Sequence, residues 1–203
     1  MNPIRSICVY CGSSPGRGDV YLKAGHTLGR SLAEAGLRLV YGGGTKGIMG
    51  AVSDSAMRAG GKVTGIIPRF LISKEATETA LGRLDELVVT ENMHERKHLM
   101  FEKSDAFIAL PGGIGTVEEI VEIMTWAQLG HHRKPIVFAN VDGFWDPMLA
   151  LLEHMKAEGF VHTSHLVNPI VVDRVESVVA AVLAEGAAVD TPATGVQTLI
   201  DKL

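Results

Sequence analysis

Short apolar, β-branched segments alternate with stretches of helical period from one end of the chain to the other. Strands are predicted at Arg5–Cys11, Leu37–Tyr41, Lys62–Ile67, Leu87–Thr90, Ala106–Leu110, Ile136–Ala139 and Ile170–Val172. Between them the spacing predicts helices near Val20–Ala35, Gly47–Ala59, Met93–Lys103, Val117–Leu129, Pro147–Glu158 and Val175–Ala184. Several strands are apolar at every position, Ala106-Phe-Ile-Ala-Leu110 most plainly, and burial of both faces is what removes the usual alternation. Strand and helix in regular succession, joined by right-handed crossovers, give an α/β domain: a doubly wound parallel sheet with helices on both faces. No second core and no internal repeat interrupts residues 1–185. Residues 186–203 read as a C-terminal tail, loose over Gly186–Gly195 and closing in a short docked helix over Gln197–Leu203.

Composition narrows the partners. The 203 residues are 46% apolar and 21% charged, which suits one continuous buried core. With 19 Lys and Arg against 23 Asp and Glu, the formal net charge is -4, the wrong sign to attract a nucleic-acid backbone or an anionic membrane. The opening Met1-Asn-Pro-Ile-Arg5 lacks the apolar run of a signal peptide, and no stretch of roughly 18 apolar residues is present for a membrane span. Cys8 and Cys11 are the only cysteines, so no disulfide framework is expected and the reducing cytoplasm is the expected compartment. Three positions apart on one strand, they point to opposite faces and read as core.

In an open parallel sheet, ligands gather outside the carboxyl ends of the strands where strand order reverses. Four strand-to-helix loops converge there: Cys11-Gly-Ser-Ser-Pro-Gly16, Tyr41-Gly-Gly-Gly-Thr-Lys-Gly-Ile-Met-Gly50, Thr90-Glu-Asn-Met-His-Glu-Arg-Lys97 and Leu110-Pro-Gly-Gly-Ile-Gly-Thr-Val-Glu-Glu119. In the last, Gly112, Gly113 and Gly115 allow close backbone approach, and a helix start supplies free N–H groups and partial positive charge for an anion. The alternative is a tight turn that needs glycine for positive φ. The second loop is no P-loop, because Gly47 follows its lysine. Its Gly42-x-Gly44-x-x-Gly47 follows the second strand and lacks the later acid of a dinucleotide site, so spacing alone supports little.

Each chemical candidate has a structural competitor. Thr116 and Glu119 fit a capping box at a helix start, yet a carboxylate one turn from three glycines can also reach a sugar or a water, as can its neighbour Glu118. Glu119, Glu122, Ile123 and Trp126 share a stripe that could extend from the anion site into a base pocket. Ile120, Met124 and Ala127 read as core. His94-Glu-Arg-Lys-His98 matches the zinc-peptidase spacing, with Glu118 as a conceivable third ligand. Phe101 and Ser104 stand where the longer zinc motif needs Gly and His, and Asn92 with Glu95 makes an alternative capping box. Arg96 and Lys97 oppose the helix dipole in the first turn, which is reasonable if they face an anion. An arginine acts there by charge and not by proton exchange. His131 and His132, past a helix end, read as cap and surface.

Taken together, Pro111-Gly-Gly-Ile-Gly-Thr-Val-Glu-Glu119, Cys11-Gly-Ser-Ser, Tyr41-Gly-Gly-Gly-x-x-Gly-x-Met-Gly50, Met93-His-Glu-Arg-Lys97, Trp126-Ala-Gln-Leu-Gly130 and Asn140-Val-Asp-Gly-Phe144 resemble the Lonely Guy family of cytokinin riboside 5′-monophosphate phosphoribohydrolases. The resemblance runs in order to about Gly159. It implies a Rossmann-like nucleotide-binding catalytic domain over residues 1–185 and a homodimer or larger homo-oligomer. It also implies hydrolysis of the N-glycosidic bond of an adenine-type nucleoside 5′-monophosphate, with no metal and no cofactor. By the same resemblance, Gly112, Gly113, Ile114, Gly115 and Thr116 would hold the 5′-phosphate, with Arg96 and Glu119 catalytic. Lys97, Glu118, Gly12, Ser13, Gly43, Gly44 and, on the base side, Glu75 would contact substrate. A non-catalytic nucleotide or cofactor carrier of the same fold, and a zinc hydrolase using His94 and His98, are the competing readings. Members have been labelled lysine decarboxylases, but no pyridoxal-phosphate lysine motif is recognisable, and Lys46 sits in a glycine loop.

Overall fold

The computed structural model describes residues 3–161 and 169–189. Seven strands are found: β1 (Ser6–Tyr10), β2 (Arg38–Tyr41), β3 (Val63–Pro68), β4 (Glu86–Thr90), β5 (Ala106–Ala109), β6 (Ile136–Ala139) and β7 (Ile170–Val172). They form one parallel sheet in the order β4-β3-β2-β1-β5-β6-β7. The predicted strands all appear, within about one residue at most ends. The long helices follow: α1 (Val20–Glu34), α2 (Gly47–Arg58), α5 (Met93–Glu102), α6 (Ile114–Gln128), α7 (Asp146–Ala157) and α8 (Val178–Val189). Two short helices, α3 (Arg69–Glu75) and α4 (Glu78–Leu81), were not expected from the periodicity. At seven and four residues they carry too few apolar positions for a repeat to register.

The sheet resolves the uniformly apolar strands into two cores by simple alternation. Ile7, Val9, Cys11, Leu39, Ile108 and Val137 meet α1, α2 and α8 on one face. Cys8, Tyr10, Val40, Phe107 and Phe138 meet α5, α6 and Trp145 on the other. Both cysteines are buried and free, one in each core. Helix α1 lies so close to α2 that a Cβ at Gly29 would collide with the Val52 carbonyl.

Two expectations, the tail boundary and the surface placing of His132, need correction. Helix α8 continues to Val189, past the expected tail boundary at residue 186, and residues 190–203, including the predicted Gln197–Leu203 helix, lie outside the described residues. The Asn140–Phe144 motif is architectural. The Asn140 amide donates to Asp146 Oδ1 (2.8 Å) and Asp173 Oδ1 (3.1 Å), and its Oδ1 accepts from the Trp145 N–H (2.8 Å) around a turn whose Asp142 has φ 55°. His132 is core and not surface, with 9% exposure. Its Nε2 donates to the Ile123 carbonyl (2.9 Å) while Nδ1 accepts from the Lys134 N–H (3.1 Å), and the ring packs edge-on against Phe101 and Phe107. Those two bonds need the neutral ring with its proton on Nε2.

Burial therefore lowers the His132 pKa below its ordinary value. The neutral form stabilises the fold above the unfolded pKa of about 6.5, and that contribution is lost as pH falls through the lowered folded value. The melting temperature of wild type should exceed that of His132→Gln at pH 7.5, with the gap closing towards pH 5. A gap that stays constant across this range in thermal melts would show that His132 is not linked to folding.

Candidate active site

Strand order reverses between β1 and β5, and the loops leaving these two strands part to opposite sides of the sheet there. Their crossing is tight. The Gly12 N–H donates to the Pro111 carbonyl (3.1 Å), and a Cβ at Gly112 would collide with the Thr116 side chain. Above the crossing lies a cavity of about 350 Å³, at the lower end of the range for small-molecule sites. Its walls come from the loops after β1, β2 and β5, from α5 and α6, and from α3.

The floor of this cavity is the start of α6. The helix begins at Ile114, capped by Gly113, three residues before the expected start, so Thr116 lies inside the first turn and the Thr116–Glu119 capping box does not form. Among the described residues, no protein acceptor is recorded for the amides of Ile114, Gly115 and Thr116. Gly113 and Gly115 have ordinary φ, and a Cβ at either would meet nothing within 4 Å. The chain itself does not need glycine at these two positions, but an anion approaching three free helix-start amides would. Ile114, 86% exposed, stands at the mouth.

The second glycine loop is built differently. The first amides of α2 are already engaged, Ile48 N–H (3.1 Å) and Met49 N–H (3.2 Å) both donating to the Gly12 carbonyl. Gly43 packs on Ile67 and Gly44 on Met49, both buried behind Gly42, which alone of the three lines the cavity. The expectation that Gly43 and Gly44 face the substrate thus has no counterpart in this geometry. The loop instead tethers α3: Thr45 N–H donates to the Glu75 carbonyl (2.8 Å), and Lys46 Nζ donates to the Lys74 carbonyl (3.1 Å). That tether brings Leu71 and Glu75 to the cavity wall, where Glu75 Oε2 is buried without a protein partner among the described residues.

Arg96 and Glu119 face each other across the centre. Arg96 is 5% and Glu119 8% exposed, with Nη1 and Oε1 3.7 Å apart, an ion pair too long for a hydrogen bond. Burial pushes the Glu119 carboxyl up to about 7, against the opposing pull of the Arg96 guanidinium. Arg96 Nη2 also donates to the Gly42 carbonyl (3.3 Å), Nη1 leans on Met93 Sδ (3.8 Å), and Nε has no protein partner. Met93, Arg96 and Met100 share one face of α5, and with Met49 and Leu71 they give the cavity an apolar side.

Ten of the fourteen expected site residues line this cavity: Arg96, Glu119, Gly113, Ile114, Gly115, Thr116, Glu118, Gly12, Ser13 and Glu75. Gly112, Gly43, Gly44 and Lys97 do not. Lys97 turns to α6, donating to Glu118 (2.6 Å) and Glu122 (3.1 Å), so it braces the helix that carries Glu119. The expected stripe beyond Glu119 dissolves accordingly: Glu122 binds Lys97, Ile123 is core, and Trp126 packs on Phe101. Sequence reading missed Gly42, Leu71 and the three methionines; the spacing of Met93 and Met100 about Arg96 was the available signal. The zinc reading also meets an obstacle. Glu95 caps its own helix, accepting from the Glu91 N–H (2.9 Å) while Asn92 Oδ1 accepts from the Glu95 N–H (2.9 Å). His94 and His98 are exposed, and no group of three or more potential ligands is assembled among the described residues.

The sequence pattern of the family described as "Possible lysine decarboxylase" matches residues 49–182. The cytokinin riboside 5′-monophosphate phosphoribohydrolase LOG of Oryza sativa subsp. japonica is 50% identical over 157 residues, 77% of this chain and 64% of that protein. The cytokinin riboside 5′-monophosphate phosphoribohydrolase of Rhodococcoides fascians is 43% identical over 178 residues, 88% of this chain and 89% of that protein. Among solved structures, the molybdenum cofactor carrier protein of Chlamydomonas reinhardtii superposes with a TM-score of 0.66 at 21% identity, over 91% of this chain and 99% of that one, a likeness of fold alone. On the extent of the family match and on these identities, the chain belongs to the Lonely Guy family that its sequence resembles, the family whose pattern carries the description "Possible lysine decarboxylase".

Proposed function

We propose that the protein hydrolyses the N-glycosidic bond of adenine-type nucleoside 5′-monophosphates, including cytokinin riboside 5′-monophosphates, releasing the free base and ribose 5-phosphate. The named relatives support this reading, and the observation that carries it is the pairing of free α6 amides with a buried carboxylate one turn along the same helix. The 5′-phosphate binds the amides of Ile114, Gly115 and Thr116, which leaves the ribose beside Glu119. As the C1′–N9 bond breaks, its electron pair leaves with the base and positive charge grows on the sugar. The Glu119 carboxylate stabilises that charge and orients the water that adds to C1′; the base takes up a proton. Arg96 keeps Glu119 charged and aligned. Among the described residues no lysine lines the cavity, so the family's descriptive label finds no amine there to stand on.

Binding at the phosphate, remote from the bond that breaks, supplies orientation that a nucleoside lacks. AMP should be cleaved at least about 10²-fold more efficiently than adenosine. Glu119→Gln should lower kcat by about 10²–10³-fold while AMP still binds. Equal cleavage of adenosine, or binding of AMP by wild type with no release of base, would refute the hydrolase reading in favour of a carrier.

The carboxylate must be ionised to work. With its pKa at about 7, kcat/KM for AMP should climb as pH rises from 6 to 8 and flatten above. A profile already flat at pH 6 would remove Glu119 from the rate-limiting ionisation.

The protein is proposed to act in the cytoplasm, where its two buried thiols stay reduced, and no helix among the described residues is long and apolar enough to cross a membrane. A homodimer is proposed through the groove between α6 and α7, where Val121, Leu151, Phe160 and Val171 are exposed together. Light scattering should give a dimer for wild type and a monomer for the Val121→Asp, Leu151→Asp double variant; a dimer in both cases places the contact elsewhere.

A further inference from the structure

Gly42, the first residue after β2, is a glycine that its own backbone does not require. Its φ lies outside the left-handed region that favours glycine. A Cβ built there would nevertheless collide with Arg96 Nη2, and would come within 3.1 Å of Arg96 Cζ; the next atom, Met49 Sδ, lies at an ordinary 3.4 Å. Among the described residues, the only severe obstacle to a side chain at position 42 is thus the guanidinium of a residue 54 positions further along the chain. The same residue offers its carbonyl to Nη2 at 3.3 Å. Every other hold on that guanidinium is loose. Nη1 reaches Met93 Sδ at 3.8 Å and Glu119 Oε1 at 3.7 Å, and Nε is buried with no protein partner.

We propose that Gly42 is a positioning residue for the reaction: its bare Cα and its carbonyl form the flat seat that holds the Arg96 guanidinium against Glu119. The inference rests on the reading of Arg96 as catalytic. A planar guanidinium can lie closely on a peptide that carries no Cβ, and one added methyl group takes that place from it. A displacement of about 1 Å at a catalytic group can cost about 10²-fold in rate. Because Arg96 favours ionisation of Glu119 more than Lys97 does, moving it also leaves that carboxyl harder to ionise.

The experiment is a double-mutant cycle of Gly42→Ala and Arg96→Ala, read by AMP kinetics across pH and by thermal melting. Gly42→Ala should lower kcat by about 10²-fold with KM for AMP little changed, since the phosphate amides are untouched. The acid limb of its kcat/KM profile should move to higher pH, a change that loosened packing alone would not produce. In the Arg96→Ala background, Gly42→Ala should cost no further activity and no melting temperature. If Gly42→Ala does not fold but the double variant does, the clash with the guanidinium is the cause and the seat stands. A double variant that also fails to fold overturns it. So does a Gly42→Ala enzyme with wild-type turnover and pH profile while Arg96→Ala is inactive. Wild-type turnover by Arg96→Ala would overturn the catalytic reading of Arg96 and the seat with it. Absence of base release by wild type would count against the proposed activity alone, and the melting cycle would then decide the seat: a loss confined to the Arg96 background upholds it, an equal loss in both backgrounds overturns it.

Discussion

A carboxylate and a guanidinium, both almost wholly out of water and 3.7 Å apart, set the terms for the rest of the site. Each alone would be expensive to bury, and their attraction offsets that cost only in part. The balance is visible in Glu119, which burial leaves ready to take up a proton near neutrality despite the cation beside it. A pair joined by a short bidentate contact would have held the carboxylate firmly ionised and well satisfied. The longer spacing leaves the pair without a mutual hydrogen bond at a cavity that both residues line, which suits a group whose partner in the proposed reaction is a sugar and a water.

The glycines divide into two kinds around this pair. Gly112 and Gly42 are needed by the protein, because the Thr116 side chain and the Arg96 guanidinium occupy the space of a side chain there, and a Cβ at Gly12 would press on the Gly112 Cα at 3.2 Å where the two strand exits cross. Gly113 and Gly115 are not needed by the protein, having ordinary φ and open space where a Cβ would be. That contrast separates glycines that build the crevice from glycines that leave it open, a distinction invisible in a motif written only as a string of Gly. The supporting polar contacts follow the same logic. Lys97 braces α6 through Glu118 and Glu122, and Thr45 holds Glu75 over the cavity, so neither needs to touch a ligand to matter.

Much of this was legible in the amino-acid order. Uniformly apolar strands such as Ala106-Phe-Ile-Ala-Leu110 demand burial on both faces, and strand-helix succession then leaves few topologies beyond a parallel doubly wound sheet. Convergence of the glycine-rich loops on one rim follows from that topology, which is why Arg96, Glu119 and the loop at residue 113 could be placed together before any coordinates. Where a local pattern had two meanings, the sequence left both open. Thr116-x-x-Glu119 and Asn92-x-x-Glu95 carry the same capping signature, yet only the second caps a helix, because Gly113 starts α6 early and the Glu119 side chain turns to Arg96. His132 looked like a polar residue past a helix end and is instead enclosed by two phenylalanines.

By itself, then, the sequence determined the layered architecture and brought Arg96 and Glu119 to one rim, since periodicity and turn chemistry are local properties repeated along the chain; their pairing was implied by the resemblance to the family. Tertiary structure alone decided which amides stay free, which glycine seats the arginine, and that the α3 segment supplies Leu71 and Glu75 to the wall. Those outcomes depend on whether an acceptor or a side chain from a distant segment arrives at a given point. The Gly12 carbonyl satisfies the start of α2, whereas among the described residues no carbonyl meets the amides of Ile114, Gly115 and Thr116, and no local pattern encodes that difference.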